Sequence, residues 1–260
     1  MIEMKNIIKQ MGLHEAKHTS QEKGVVQELC ESFERSALPL AQRLQNFPRH
    51  VRRQDISRFL AKYELFRQAL PVNGSIVECG VFAGGGLAGW LHFSSILEPY
   101  NHTRRIIGFD TFTGFPSVDD KDSKKGTSDH LQAGAFQISS EMRDEIASVA
   151  AIHDRNRPLG HIPKVELVAG DATQTIPRYM VEHPHLLIGL IYLDFDLYSP
   201  TKAALEHLFP RVVKGGIVAF DELNCAEFPG ETTALIESLD LSRVELRRTP
   251  LDPHISFFIK

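Results

Sequence analysis

The chain has 260 residues, 42% apolar and 24% charged, with a formal net charge of −4. That length supports a substantial core in one large α/β domain or two small ones, and an acidic balance with no basic run denser than residues 49–53 argues against nucleic acid as the main partner. Cys30, Cys79 and Cys225 stand far apart with no metal-ligand or disulfide spacing, and no apolar run approaches the roughly 20 residues that span a bilayer. The expectation is a cytoplasmic protein without membrane attachment.

The first 20 or so residues are polar and poorly periodic and read as a loose arm. Residues 25–44 carry Val26, Leu29, Cys30, Phe33, Ala37, Leu40, Ala41 and Leu44 at helical intervals, and residues 55–70 repeat the pattern with Ile56, Phe59, Leu60, Tyr63, Phe66 and Leu70. Two amphipathic helices are therefore expected ahead of the sheet, where they cover one face of it, roof a site or form a homodimer contact. Residues 1–70 are taken as this helical extension and 71–260 as the main domain.

Residues 76–86 read IVECGVFAGGG, a short apolar strand that reaches Glu78 and then opens into glycines at 80, 84, 85 and 86. An apolar helix over 87–97 follows, so the turn lies at a helix N-terminus, where free N–H groups favour ligand oxygens. The glycine spacing is not G-x-G-x-x-G, so the dinucleotide fingerprint is not met. Residues 105–110 form a second strand ending in Asp110. The stretch 111–135 has no period and is too long for an ordinary connection, which makes it a functional lid or a disordered insert extending to about residue 139.

A helix over about 140–152, a strand at 165–169 running into Asp171, and a continuous apolar run at 186–193 come next. That run is the pattern of a central parallel strand, and it ends in Asp194-Phe195-Asp196. Ser199-Pro200 is expected to cap and open a helix over 201–209. Residues 217–220 lead into Asp221-Glu222, and 243–248 with 254–259 read as a terminal hairpin. Alternating strands and helices with a final hairpin predict a single doubly wound sheet.

Every parallel strand thus ends in or near an acid, and in an open parallel sheet those ends form the ligand crevice. Asp110 suits the hydroxyls of an adenosine ribose. Asp171 suits an adenine N–H or caps the next helix. Glu78 is placed for a cofactor ammonium. Asp194, Asp221 and Glu222 offer the hard oxygens by which Mg²⁺ is held, although with only two of them usable, calcium or no metal fits equally. His130, in the insert, is the best-placed histidine for a general base, or else an ordinary solvated loop residue.

In order, ECGVFAGGG, GFDTFTGFP, LDFDLYSPT and GGIVAFDE resemble the macrocin O-methyltransferase family across about residues 56–222. The resemblance implies a class I methyltransferase fold: a mostly parallel, Rossmann-like seven-stranded sheet with a C-terminal antiparallel hairpin. It implies S-adenosylmethionine as methyl donor, Mg²⁺ as the metal, and a sugar-like or natural-product hydroxyl as acceptor. Carried over, Glu78, Gly80 and Gly84 become the methionine-side cradle and Asp110 the ribose ligand. Asp194, Asp221 and Glu222 become metal ligands, with Asp194 also available as base. The family usually has glycine at the position of Phe195 and Asp-Asp at that of Asp221-Glu222.

Two other classes compete. Tyr198 and Lys202 fit the Y-x-x-x-K of nicotinamide-dependent nucleotide-sugar oxidoreductases or epimerases, but Pro200 is expected to leave Tyr198 ahead of the helix. A non-catalytic nucleotide- or sugar-binding domain would have no need for acids on the fourth and fifth strands.

Overall fold

The computed structural model describes residues 19–123, 127–128 and 130–260. The expected loose arm lies, up to residue 18, outside the described residues. The chain divides into two compact units, residues 1–58 and 59–260.

In the first unit α1 spans Ser20–Glu34 and α2 spans Leu40–Gln45. A reciprocal capping box opens α1, with Glu22 N–H donating to Thr19 Oγ1 and Thr19 N–H to Glu22 Oε2. The single helix expected over 25–44 is in fact two. Pro39 disfavours helical backbone at the residue before it and restarts the helix from its own position. Arg43 joins the pieces by donating to the Phe33 carbonyl at 2.8 Å. The third helix, α3 (Arg53–Ala69), crosses from the first unit into the second.

The second unit is a seven-stranded sheet of order β3-β2-β1-β4-β5-β7-β6. Its strands are β1 (Ser75–Cys79), β2 (Ile106–Asp110), β3 (Val165–Ala169), β4 (Ile188–Leu193), β5 (Val212–Phe220), β6 (Arg247–Arg248) and β7 (Ser256–Ile259). All neighbours up to β5 are parallel; β7 runs antiparallel to β5 and β6. This is the class I methyltransferase arrangement, with the hairpin strands shorter than the sequence suggests.

Alternate strand residues feed two cores. Val77, Cys79, Ile107, Phe109, Ile191, Leu193, Val218 and Phe220 pack on one face, against α6 (Ala172–Glu182), α7 (Tyr198–His207) and α8 (Gly230–Ser238). Ile76, Ile106, Leu190, Tyr192, Ile217 and Ala219 pack on the other, against α3, α4 (Gly85–Leu97) and α5 (Met142–Asp154). Helix α6 is not evident in the sequence because Pro177 interrupts its pattern. Helix α7 begins at Tyr198, earlier than expected. Pro200 still falls in the first turn, where its missing N–H costs nothing, and Ser199 does not cap: its Oγ donates to Asp119.

Among its described residues the insert has no helix or strand, yet it is docked. Phe115 N–H donates to the Ala135 carbonyl and Gly134 N–H to the Phe115 carbonyl, closing its base. Farther out, Tyr198 N–H donates to Asp122 Oδ1 at 2.8 Å, Lys121 Nζ meets Glu237 at 2.7 Å, and Ser128 N–H donates to the Glu227 carbonyl at 3.0 Å. The insert therefore runs from the end of β2 to α7, α8 and the loop after β5. No helix among the described residues is long and apolar enough to cross a membrane.

Candidate active site

The first residue past β1, β3, β4 and β5 is tied to the end of a neighbouring strand. Gly170 N–H donates to the Asp110 carbonyl, Gly80 N–H to Phe109, Asp194 N–H to Cys79 and Asp221 N–H to Leu193, at 2.8–2.9 Å. One row of backbone bonds thus sets the glycine turn and the later acids at the same level. The order reverses between β1 and β4, and that switch point is where open α/β sheets bind ligands.

Three of the four glycines of the turn meet separate steric demands. Gly80 has φ +93°, and a Cβ there would lie 1.9 Å from the Asp194 carbonyl oxygen, so close approach of β1 and β4 requires glycine. Gly84 is left-handed (φ +81°), caps α4, and would crowd Ile146 with any side chain. Gly85 faces open space. A Cβ on Gly86 would fall 1.9 Å from Glu78 Oε1.

Asp110 holds this turn in shape. Its Oδ2 accepts from Val81 and Phe82 N–H at 2.7 and 2.9 Å, and its Oδ1 from Phe112 N–H at 2.7 Å. Three of a carboxylate's roughly four acceptor sites are filled by the chain itself. Asp171 caps α6, accepting from Thr173 N–H at 2.9 Å and Thr173 Oγ1 at 2.8 Å.

Glu78 lies beneath the turn rather than in it. It is 1% exposed, and its Oε1 pairs with Lys62 at 2.8 Å. Burial raises its pKa above the ordinary carboxyl value, against the pull of the Lys62 charge. Lys62 has a sequence signal: a charge three residues after Phe59 and four before Phe66, on an otherwise apolar helix face.

The insert brings aromatic groups to the turn. Phe136 packs on Phe82 (6.3 Å between ring centroids), on Phe115 (5.1 Å) and on His130 (5.6 Å). Phe82, Phe112 and Phe136 all have positive φ, a strained conformation for bulky side chains that holds of order 1–3 kcal/mol at each. His130 thus belongs to an aromatic group over the turn, with its N–H on Ser128 Oγ.

Beyond β4 and β5 the acids collect. Glu231, on α8 and fully buried, accepts from Phe195 N–H at 3.1 Å and Glu222 N–H at 3.4 Å. Burial, then the charges of Glu222, Asp194 and Asp221, hold its carboxyl well above the usual range. The carboxyl of Asp196 is pushed up to about 8, first by burial; a hydrogen bond with Glu222 opposes this and nearby Asp194 adds to it. Nothing in the sequence around Glu231 points to the site, since an acid in a first helical turn reads as an ordinary dipole partner.

Among the described residues, no three His, Cys, Asp or Glu side chains are arranged to hold a metal ion. The donor chemistry nevertheless fits a hard divalent cation, because buried carboxylates are gathered here with other acids as strong electrostatic neighbours. The Y-x-x-x-K pair is corrected. Tyr198 does lie on the helix, one turn from Lys202, but both are engaged with α8: Tyr198 O–H with Glu237 Oε2 at 2.6 Å and Lys202 Nζ with the Glu237 carbonyl at 3.2 Å.

This geometry has known counterparts. Residues 51–234 match the macrocin O-methyltransferase (TylF) family model. Over 93% of each chain the fold superposes on CalS11, a calicheamicin methyltransferase, with a TM-score of 0.89 and 37% identity. A second CalS11 structure, described as a TDP-rhamnose 3'-O-methyltransferase, gives 0.80 and 35%, covering 93% of this chain and 95% of that one. The O-methyltransferase NovP, at 20% identity and a TM-score of 0.57 over 79% of this chain and 80% of its own, shares the fold.

Among curated proteins, a tetracenomycin rhamnosyl 4'-O-methyltransferase of Streptomyces olivaceus is 29% identical over 58% of this chain and 53% of its own length. The mycinamicin III 3''-O-methyltransferase of Micromonospora griseorubida is 26% identical over 58% and 56%. The chain therefore spans about half the length of the curated relatives it matches. On the family match and the CalS11 likeness together, the chain belongs to the macrocin O-methyltransferase family of S-adenosylmethionine-dependent enzymes.

Proposed function

We propose that this protein transfers a methyl group from S-adenosylmethionine to a hydroxyl of a sugar, with a nucleotide-linked deoxysugar as the leading acceptor class and a glycosylated natural product as the alternative. The observation that carries the reading is the row of backbone bonds that sets the glycine turn beside the acid pocket at the switch point. The likeness to CalS11 supports the acceptor class.

S-adenosylmethionine supplies an electrophilic methyl on a sulfonium, for in-line displacement by the acceptor oxygen. The turn at residues 80–85 gives that donor backbone N–H groups and the open space at Gly85. Asp110 keeps one acceptor site for a ribose hydroxyl, and Asp171 offers its remaining oxygen to the adenine edge. Glu78 acts through the Lys62 pair to support the turn from below. The hydroxyl proton would pass to the Asp194 carboxylate, on the residue whose backbone carbonyl lies against Gly80 at the turn. His130 is the second candidate for that proton, from the insert.

Asp194, Asp221 and Glu222 would hold Mg²⁺, which would lower the pKa of the bound acceptor hydroxyl. The insert, pinned at Asp119, Asp122 and Ser128, walls the acceptor side and keeps water out. Exposed Leu40, Leu44 and Phe47 in the first unit support the expected homodimer.

The test is acceptor-dependent formation of S-adenosylhomocysteine with TDP-deoxysugars, before and after EDTA. Asp194→Asn should abolish turnover while S-adenosylhomocysteine still raises the melting temperature. Turnover indifferent to chelator refutes the metal; an active Asp194→Asn with an inactive His130→Gln moves the base to the insert.

A further inference from the structure

Behind the acid pocket lies a buried phenol that the mechanism above leaves unused. Tyr192, on β4, is 0% exposed in a slot lined by Trp90, whose ring centroid is 5.8 Å away. Packing alone asks only for an aromatic ring there. The phenol hydroxyl instead donates to Asp221 Oδ1. Register explains the reach: Tyr192 pairs with Ala219 on β5, and Asp221 is two residues farther along the same pleat. On the other side of the ring, Lys62 Nζ stands 4.0 Å from its centroid while ion-paired to Glu78. One ammonium on α3 therefore clamps both the acid beneath the cofactor turn and the tyrosine that holds Asp221.

We propose that Tyr192 is a positioning residue: its hydroxyl, with the ring seated against Lys62, fixes the Asp221 carboxylate in the orientation that serves a divalent cation. The inference rests on the reading of Asp221 as a metal ligand. A neighbour that hydrogen-bonds a ligating carboxylate sets its direction, and loss of such a partner costs about 10- to 100-fold in metal affinity.

The test uses Mn²⁺ as probe and needs no turnover. Free Mn²⁺ is followed by electron paramagnetic resonance during titration of the ligand-free wild type, Tyr192→Phe and Asp221→Asn, and the melting shift with S-adenosylhomocysteine is recorded for each. Tyr192→Phe is expected to weaken Mn²⁺ binding about 10- to 100-fold with the S-adenosylhomocysteine shift intact, and Asp221→Asn to remove binding. Equal Mn²⁺ affinity in Tyr192→Phe and wild type overturns the positioning role while leaving the metal site standing. A wild type that binds no Mn²⁺ overturns the metal reading and this inference with it. Loss of the S-adenosylhomocysteine shift in Tyr192→Phe also overturns it, since the hydroxyl would then support the fold at large. Should Tyr192→Phe not fold, Lys62→Met/Glu78→Gln removes the clamp without leaving an unpaired charge, and Mn²⁺ affinity unchanged in that variant counts against the proposal.

Discussion

Replacing Lys62 with methionine keeps most of the side-chain volume and removes the cation that pairs with Glu78. The pair is secluded, with side chains 8% and 1% exposed, so the carboxylate left behind has neither water nor a counter-charge. The Trp90 indole also supports this carboxyl, but it carries no charge to replace the ammonium. Breaking a buried pair on one side costs about 3–5 kcal/mol. For a protein of this size that is a fall in melting temperature on the order of 10 °C.

The loss should depend on pH. Burial raises the folded-state pKa of Glu78 above 4.5 even with Lys62 present. An acid with a raised folded pKa contributes stability that is present below its unfolded value and lost as pH rises through the folded one. Without Lys62 the folded pKa climbs further, so the deficit against wild type should grow as the pH rises above 4.5. Thermal and urea melts of Lys62→Met, Glu78→Gln and the double variant across that range measure both effects. The double variant should recover most of the loss, because well-packed neutral groups replace a buried ion pair at little cost. A single variant within about 1 kcal/mol of wild type, or a double variant no better than Lys62→Met, refutes the reasoning.

Other expectations follow from the turn and the helices behind it. Gly80→Ala should destabilise by about 1–3 kcal/mol from backbone strain alone, with a further cost from collision with the Asp194 carbonyl, read by urea denaturation. Asp110→Ala removes the acceptor of two turn N–H groups and of Phe112 N–H and should abolish the melting shift with S-adenosylhomocysteine; a retained shift would show that the turn binds without it. His92 packs 4.5 Å from His153, and burial followed by that neighbour lowers its pKa. Its contribution to stability is therefore present above 6.5 and lost as the pH falls through its lower folded value. An NMR titration should place His92 below 6.5, and His153→Gln should move it back up.

Much of the sheet is legible in the sequence because each parallel strand is a short apolar run with an acid at its end. The run at 165–169 is β3 residue for residue, and 186–193 contains β4. What escapes notice depends on partners far along the chain or on proline. Pro39 splits one periodic stretch into two helices, and Pro177 conceals α6.

The site divides along the same line. Asp110, Asp171 and the acids after β4 and β5 are visible as strand-end residues, whereas Tyr192 and Glu231 matter through contacts with Asp221, Phe195 and Glu222 that no local pattern encodes. Glu78 shows the converse. Its position before the glycines reads as a ligand contact, but a lysine sixteen residues earlier takes up its carboxylate beneath the turn.

Methyl transfer to a sugar hydroxyl at the junction of turn and acid pocket is tested most directly by mass spectrometry of a TDP-deoxysugar incubated with the protein, S-adenosylmethionine and Mg²⁺. A product heavier by one methylene is expected, formed in equal amount with S-adenosylhomocysteine and absent with Asp194→Asn. S-adenosylhomocysteine formed without any methylated hydroxyl, or a methylated sugar formed equally well by Asp194→Asn, would contradict it.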